Sequence, residues 1–143
     1  MSLSISTDGV TLVAAQAVVE AAAEKAAEIG VPMNIAVVDE GANLVAFARM
    51  DGAWLGSIEI AQGKAYTARA FDTPTKDLTP LAQPGGPLYG IEASNPGRVI
   101  VFAGGIPLSR DARIVGAIGV SGGTIEQDQA VAEAGAAAFE RER

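Results

Sequence analysis

Apolar residues recur along this chain with two different periods, and the switches between them mark out its elements. From Gly9 to Ile29, Val10, Val13, Ala14, Ala17, Val18 and Ala21 fall at helical spacing, while Gln16, Glu20, Glu24 and Glu28 lie mostly off that stripe. Thr7 or Asp8 is placed to cap this helix, and Gly30 with Pro32 beyond it closes the C-terminal end. Ile35 to Val38 and Leu44 to Phe47 are instead short runs rich in Val and Ile. The residues between them, Asp39-Glu40-Gly41-Ala42-Asn43, carry turn chemistry, so the pair predicts a β-hairpin. Ala53 to Ala70 returns to helical spacing, with Ile58, Ala61, Ala65 and Ala68 as its inward stripe. Gly63 in its middle costs roughly 1 kcal/mol relative to Ala unless something packs close there.

Asp72-Thr73-Pro74 stops that helix, and Thr73 as cap with Pro74 at the first helical position predicts a short third helix to about Ala82. Gln83 to Pro87 is a loop, Leu88 to Asn95 carries little pattern, and Asn95-Pro96-Gly97 is a turn. Arg98 to Ala103 predicts a strand, Gly104-Gly105-Ile106-Pro107 a glycine-rich break, Ser109 to Ala112 a polar connection, and Ile114 to Val120 a further strand. Ser121-Gly122-Gly123-Thr124 then leads into a last helix. Thr124 and Gln127 have the spacing of a capping box there, and Val131, Ala134, Ala138 and Phe139 supply the apolar side. Hairpins outnumber possible βαβ crossovers in this order. It predicts an α+β domain, an antiparallel sheet of four or five strands with flanking helices packed on it.

Composition narrows the chemistry. At 143 residues, 49% of them hydrophobic, the chain fits one domain with a real core. Ten basic residues against 17 acidic ones give a formal charge of −7, which repels phosphodiester backbones and anionic lipid surfaces, so neither nucleic acid nor membrane is expected as a partner. Cysteine and histidine are both absent, which removes disulfides, thiolate nucleophiles, Ser-His triads, imidazole bases and the usual zinc sites. Met1 to Val10 lacks the basic and apolar regions of a leader, and the expected location is cytoplasmic.

Carboxylates, Lys, Tyr, Ser, Thr and Arg remain. Asp39, ending the first strand, can act as a general base or anchor a hydroxyl, or can bind backbone amides as an Asx-type turn residue. Arg49 and Asp51 can hold an anion and a polar group, or can pair with each other. Lys64 sits mid-helix among small apolar residues beside Gly63; there it can serve as nucleophile or base, or snorkel to the helix edge. Tyr66 is a ligand or a core residue with a bonded hydroxyl. Gly104, Gly105, Gly122, Gly123 and Thr124 form two glycine-rich breaks, the second before a helix N-terminus, where free amides favour an anion unless Thr124 simply caps the helix. Neither break has Walker or dinucleotide spacing.

Taken in order, N-I-A-V-V-D-E-G-A-N-L-V-A-F-A-R-M-D-G-A from Asn34, K-A-Y-T-A-R-A-F followed by D-T-P-T, G-G-I-P-L at Gly104, and V-G-A-I-G-V-S-G-G-T-I-E-Q-D at Val115 resemble the GlcG/HbpS family, which also includes the C-terminal domain of PduO proteins. The resemblance covers nearly the whole chain. It implies a profilin-like three-layer sandwich, assembly into a dimer or higher homo-oligomer, and, for some members, haem binding with slow haem degradation. The family's haem binders are argued to use a histidine, which this chain lacks. Among its own residues the possible iron donors are Tyr66, Tyr89, Met33, Met50 and an unprotonated Lys64. Outside haem, the same residues suit an enzyme or binding protein for a small anionic metabolite, using Asp39, Lys64 and Arg49, or a non-catalytic oligomeric accessory domain.

Overall fold

The computed structural model describes residues 9–141. Eight regular elements follow one another: α1 (Leu12–Ile29), β1 (Asn34–Val38), β2 (Leu44–Arg49), α2 (Gly56–Ala70), α3 (Thr75–Leu78), β3 (Gly105–Arg110), β4 (Arg113–Ser121) and α4 (Ile125–Arg141). Every strand pairing is antiparallel, in the order β2-β1-β4-β3, so both hairpins are joined through the central β1–β4 ladder. The α+β class and the four-stranded sheet match the sequence pattern.

Each face of the sheet is covered. Ile35 and Val37 of β1 and Ile118 and Val120 of β4 point into a core shared with Val18 and Ala22 of α1 and Val131 and Phe139 of α4. Their neighbours Ala36, Val38 and Ala117 point the other way, onto Ala61, Ala65 and Ala68 of α2. All five residues of β1 are therefore buried. Gly119 on β4 is what lets α2 sit so close: a Cβ there would collide with the backbone of Ala61 and Ala65.

The helix ends follow their caps. Thr11 caps α1, its hydroxyl accepting the Ala14 amide at 3.1 Å, and Gly30 closes the helix in the left-handed conformation at φ +86°. Thr7 and Asp8, the caps expected from sequence, lie outside the described residues. Val13, expected on the inward stripe, is 70% exposed, because α1 turns Ala14, Ala15 and Val18 to the sheet instead. The capping box at the start of α4 forms in both directions, the Gln127 amide donating to Thr124 Oγ1 at 3.2 Å and the Thr124 amide donating to Gln127 Oε1 at 2.9 Å. Thr73 does not cap α3: Pro74 holds the cap position, and the Thr73 hydroxyl donates to the Phe71 carbonyl.

One strand is placed differently from expectation. Arg98 to Ala103 joins no ladder, Arg98 closing a helical turn at φ −90° and ψ −8° and Phe102-Ala103 forming a bend, whereas the supposed break at Gly104 to Pro107 opens β3. Val99, Val101 and Ala103 are buried in alternation, as a strand's would be. Side-chain hydroxyls, not a neighbouring strand, bond backbone groups of this segment. The Ile100 amide donates to Thr67 Oγ1 at 2.9 Å, and the Thr79 hydroxyl donates to the Val101 carbonyl at 2.5 Å. The expected connection at Ser109 to Ala112 shrinks to Asp111-Ala112, both at positive φ, as a two-residue hairpin turn requires.

Candidate functional site

Two polar constellations flank α2, one sealed and one open. The sealed one is built on Lys64, whose aliphatic stem passes the end of the sheet so that Nζ reaches the opposite helical layer. Nζ donates to Asp128 Oδ2 of α4 at 2.9 Å and to the Val120 carbonyl at 2.8 Å, and the other carboxylate oxygen of Asp128 accepts the Gly123 amide at 2.8 Å. Glycines make the room. A Cβ on Gly104 would stand 2.5 Å from the Val120 oxygen and 2.9 Å from Nζ. Gly105 packs on the Lys64 carbonyl and on Thr75, whose hydroxyl oxygen accepts the Gly105 amide at 2.8 Å. With Lys64 1% and Asp128 5% exposed, burial dominates the electrostatics. It drives the lysine below its usual pKa, against the pull of Asp128, and lifts the Asp128 carboxyl, against the pull of Lys64 and the Gly123 amide.

The open constellation is a groove of about 680 Å³ between the β1–β2 turn, the outer face of α2 and the segment from Pro96 to Ile100. Leu44, Ile60 and Ile100 supply apolar wall, and Glu59, Gln62, Tyr66 and Arg98 supply polar groups. The Tyr66 hydroxyl donates to Asn95 Oδ1 at 2.6 Å, and the Arg98 guanidinium lies 3.9 Å from the Tyr66 ring centroid. Gly63, the glycine that looked costly mid-helix, is where this segment crosses α2. A Cβ there would meet Ile100 Cγ1 at 2.6 Å and the Arg98 carbonyl at 3.1 Å.

These placements separate the residues singled out in the sequence. Lys64, Gly104, Gly105 and Gly123 converge on the sealed pair, with Gly122 and Thr124 on the same loop. Tyr66, two residues on and so on the other side of the helix, faces the groove instead. Asp39 is at the other end of β1, where its Oδ1 accepts the amides of Gly41 at 2.9 Å and Asn43 at 3.0 Å, an Asx-type turn. It shares no pocket with Lys64. Arg49 ends β2 and Asp51 lies in the turn after it, both exposed, and among the described residues they form no ion pair. Lys64 itself does not snorkel. Asp128, Arg98, Asn95 and Asn34 carry little local signal; for Asp128 the nearest hint is its place one turn into α4, where the helix dipole favours a carboxylate.

A family model described as haem degrading protein, HbpS-like, matches residues 10–137. The chain belongs to the HbpS-like family. It is similar to an uncharacterized 15.0 kDa protein from the dhaT-dhaS intergenic region of Citrobacter freundii, 44% identical over 124 residues that make up 87% of either chain. Among solved structures, this HbpS-like chain superposes on Klebsiella pneumoniae protein ORFY with a TM-score of 0.91 at 40% identity, covering 98% of this chain and 97% of that one. It superposes on PduOC, solved as a haem complex, with a TM-score of 0.86 at 37% identity and 95% coverage of both. No helix among the described residues is long and apolar enough to cross a membrane.

Proposed function

We propose that this HbpS-like chain binds haem or a related tetrapyrrole in the groove beside Tyr66. The observation that carries the reading is a groove of about 680 Å³, within the 300–1,000 Å³ typical of small-molecule sites, that presents a tyrosine oxygen in a fold shared with a protein solved as a haem complex. With no histidine or cysteine in the chain, the donor set is tested at Tyr66, and it fits: a phenolate oxygen is one of the established axial ligands of haem iron. Arg98 would offset the phenolate charge from above the ring or hold a propionate, and Leu44, Ile60 and Ile100 would exclude water from the macrocycle. Asn95 would turn its carboxamide to donate to the oxygen it now accepts from. Bound haem supplies redox and oxygen chemistry; the chain's own part is to bind, orient and desolvate it.

Titrating the protein with haemin tests this. A saturable Soret shift at micromolar haemin is expected, weakened and spectrally altered in Tyr66→Phe. The absence of any saturable shift overturns the reading. Self-association into a dimer or larger homo-oligomer belongs to the same proposal, supported by the exposed Leu12 and Val13 of α1 and by the unpaired, largely apolar edge of β2. A single monomeric species in sedimentation at micromolar concentration removes that part.

A further inference from the structure

At the N-terminal end of α2 lies a third polar cluster, which the sealed pair does not use and which shares only Gly56 with the groove. Asn34, the first residue of β1, is fully buried, and its Nδ2 donates to the Trp54 carbonyl at 3.0 Å. The same carbonyl accepts the Ser57 amide at 3.2 Å, so the Asn34 carboxamide sits against the first turn of α2. Its other polar atom, Oδ1, is buried without a hydrogen-bond partner, a state that costs about as much as a lost hydrogen bond.

The surroundings are donors. α2 runs for 15 residues from Gly56 with no side chain capping its N-terminus, and among the described residues none accepts the amides of Leu55 and Gly56. Ser57 and Ser121 bring hydroxyls at 4% and 5% exposure, and Ser121 is the direct partner of Asn34 across the β1–β4 ladder. Arg49 is its direct partner across the β1–β2 ladder, on the same face of the sheet, exposed and in no ion pair among the described residues. Glu59, the acid of the first turn, lines the tetrapyrrole groove, and Asp51 is exposed in the turn after β2.

We infer that this cluster is a binding site for a small hydroxycarboxylate. The carboxylate takes the Arg49 guanidinium, the free amides of α2 and the serine hydroxyls, while the hydroxyl donates to the one orphaned acceptor, Asn34 Oδ1. A simple carboxylate leaves that oxygen unpaired and binds less well. The inference is independent of the tetrapyrrole reading, whose readout is the Soret band.

Trp54 is the only tryptophan of the chain and borders the site, so its fluorescence reports occupancy. Lactate and propionate, which differ by one hydroxyl, serve as probes. Lactate is expected to give a saturable change in Trp54 emission and to shift the Leu55 and Gly56 amide resonances, with propionate about fivefold or more weaker. Arg49→Gln, at an exposed position, is expected to weaken lactate by a similar factor, and Asn34→Leu to erase the preference for lactate. Should Asn34→Leu not fold, the lactate–propionate ratio and Arg49→Gln still decide. Equal affinity for the two acids, no saturable response to lactate, or an Arg49→Gln titration identical to wild type overturns the inference.

Discussion

Lys64 and Asp128 join helices on opposite faces of the sheet, 2.9 Å apart and almost out of reach of solvent. Desolvating both charges offsets much of their attraction, and the directions of their pKa shifts say the same: burial outweighs the partner on each side. Removing one partner leaves a buried charge alone. Lys64→Met or Asp128→Leu alone is expected to destabilise the fold by about 3–5 kcal/mol, and the double replacement to recover most or all of that. Urea denaturation of the three variants checks it; additive losses in the double variant would show that the pair contributes more than it costs.

The same shifts set a pH dependence. Asp128 has a raised folded pKa, so the folded state holds its proton longer than the unfolded chain does, and stability falls as pH rises from the ordinary value of 3.8 through the folded one. Lys64 has a lowered folded pKa, so stability rises as pH climbs from the folded value toward 10.5. Wild type measured against the Lys64→Met/Asp128→Leu variant is therefore expected to be relatively weakest between these windows and to gain toward both ends. A difference that stays flat with pH would mean that neither group shifts on folding.

Gly104 is expected to be the least replaceable of the left-handed glycines. At φ +122° it is strained for any L side chain, and its Cβ would enter the space of the Val120 oxygen and Lys64 Nζ. Gly30, at φ +86°, has nothing within 4 Å of the same atom. Gly30→Ala should therefore cost only the conformational penalty, about 1–2 kcal/mol, and Gly104→Ala that penalty plus displacement of the buried pair, about 3 kcal/mol or more. Thermal unfolding of the two variants side by side gives the comparison.

The sequence pattern disclosed the β1–β2 hairpin and the long helices because each writes its period locally. It misassigned Arg98 to Ala103 for a physical reason. Val99, Val101 and Ala103 alternate inward as in a strand, but the Ile100 amide and the Val101 carbonyl bond to the hydroxyls of Thr67 and Thr79, more than 20 positions earlier. β3 was hidden by Gly105 and Pro107, residues that an edge strand tolerates because one side of its ladder is unpaired. The candidate sites were legible in part. Lys64, Tyr66 and the paired glycines were conspicuous by type, but the partners that sort them, Asp128 for the lysine and Asn95 and Arg98 for the tyrosine, come from distant sequence that only the fold brings near.

Thr67 holds the outer wall of the groove in place. Its hydroxyl donates to the Gly63 carbonyl at 2.7 Å and accepts the Ile100 amide at 2.9 Å, in a fully buried position. Valine is close in size and shape, so Thr67→Val removes these bonds without opening a cavity, and the Ile100 amide is left without its acceptor. The expected loss is about 1–3 kcal/mol of stability. Because Ile100 and Arg98 both line the groove, the same variant should speed amide exchange at Ile100 and weaken haemin binding while leaving Tyr66 intact. Unchanged exchange at Ile100 would mean that packing of Val99 and Val101, rather than the Thr67 hydroxyl, fixes this segment against α2.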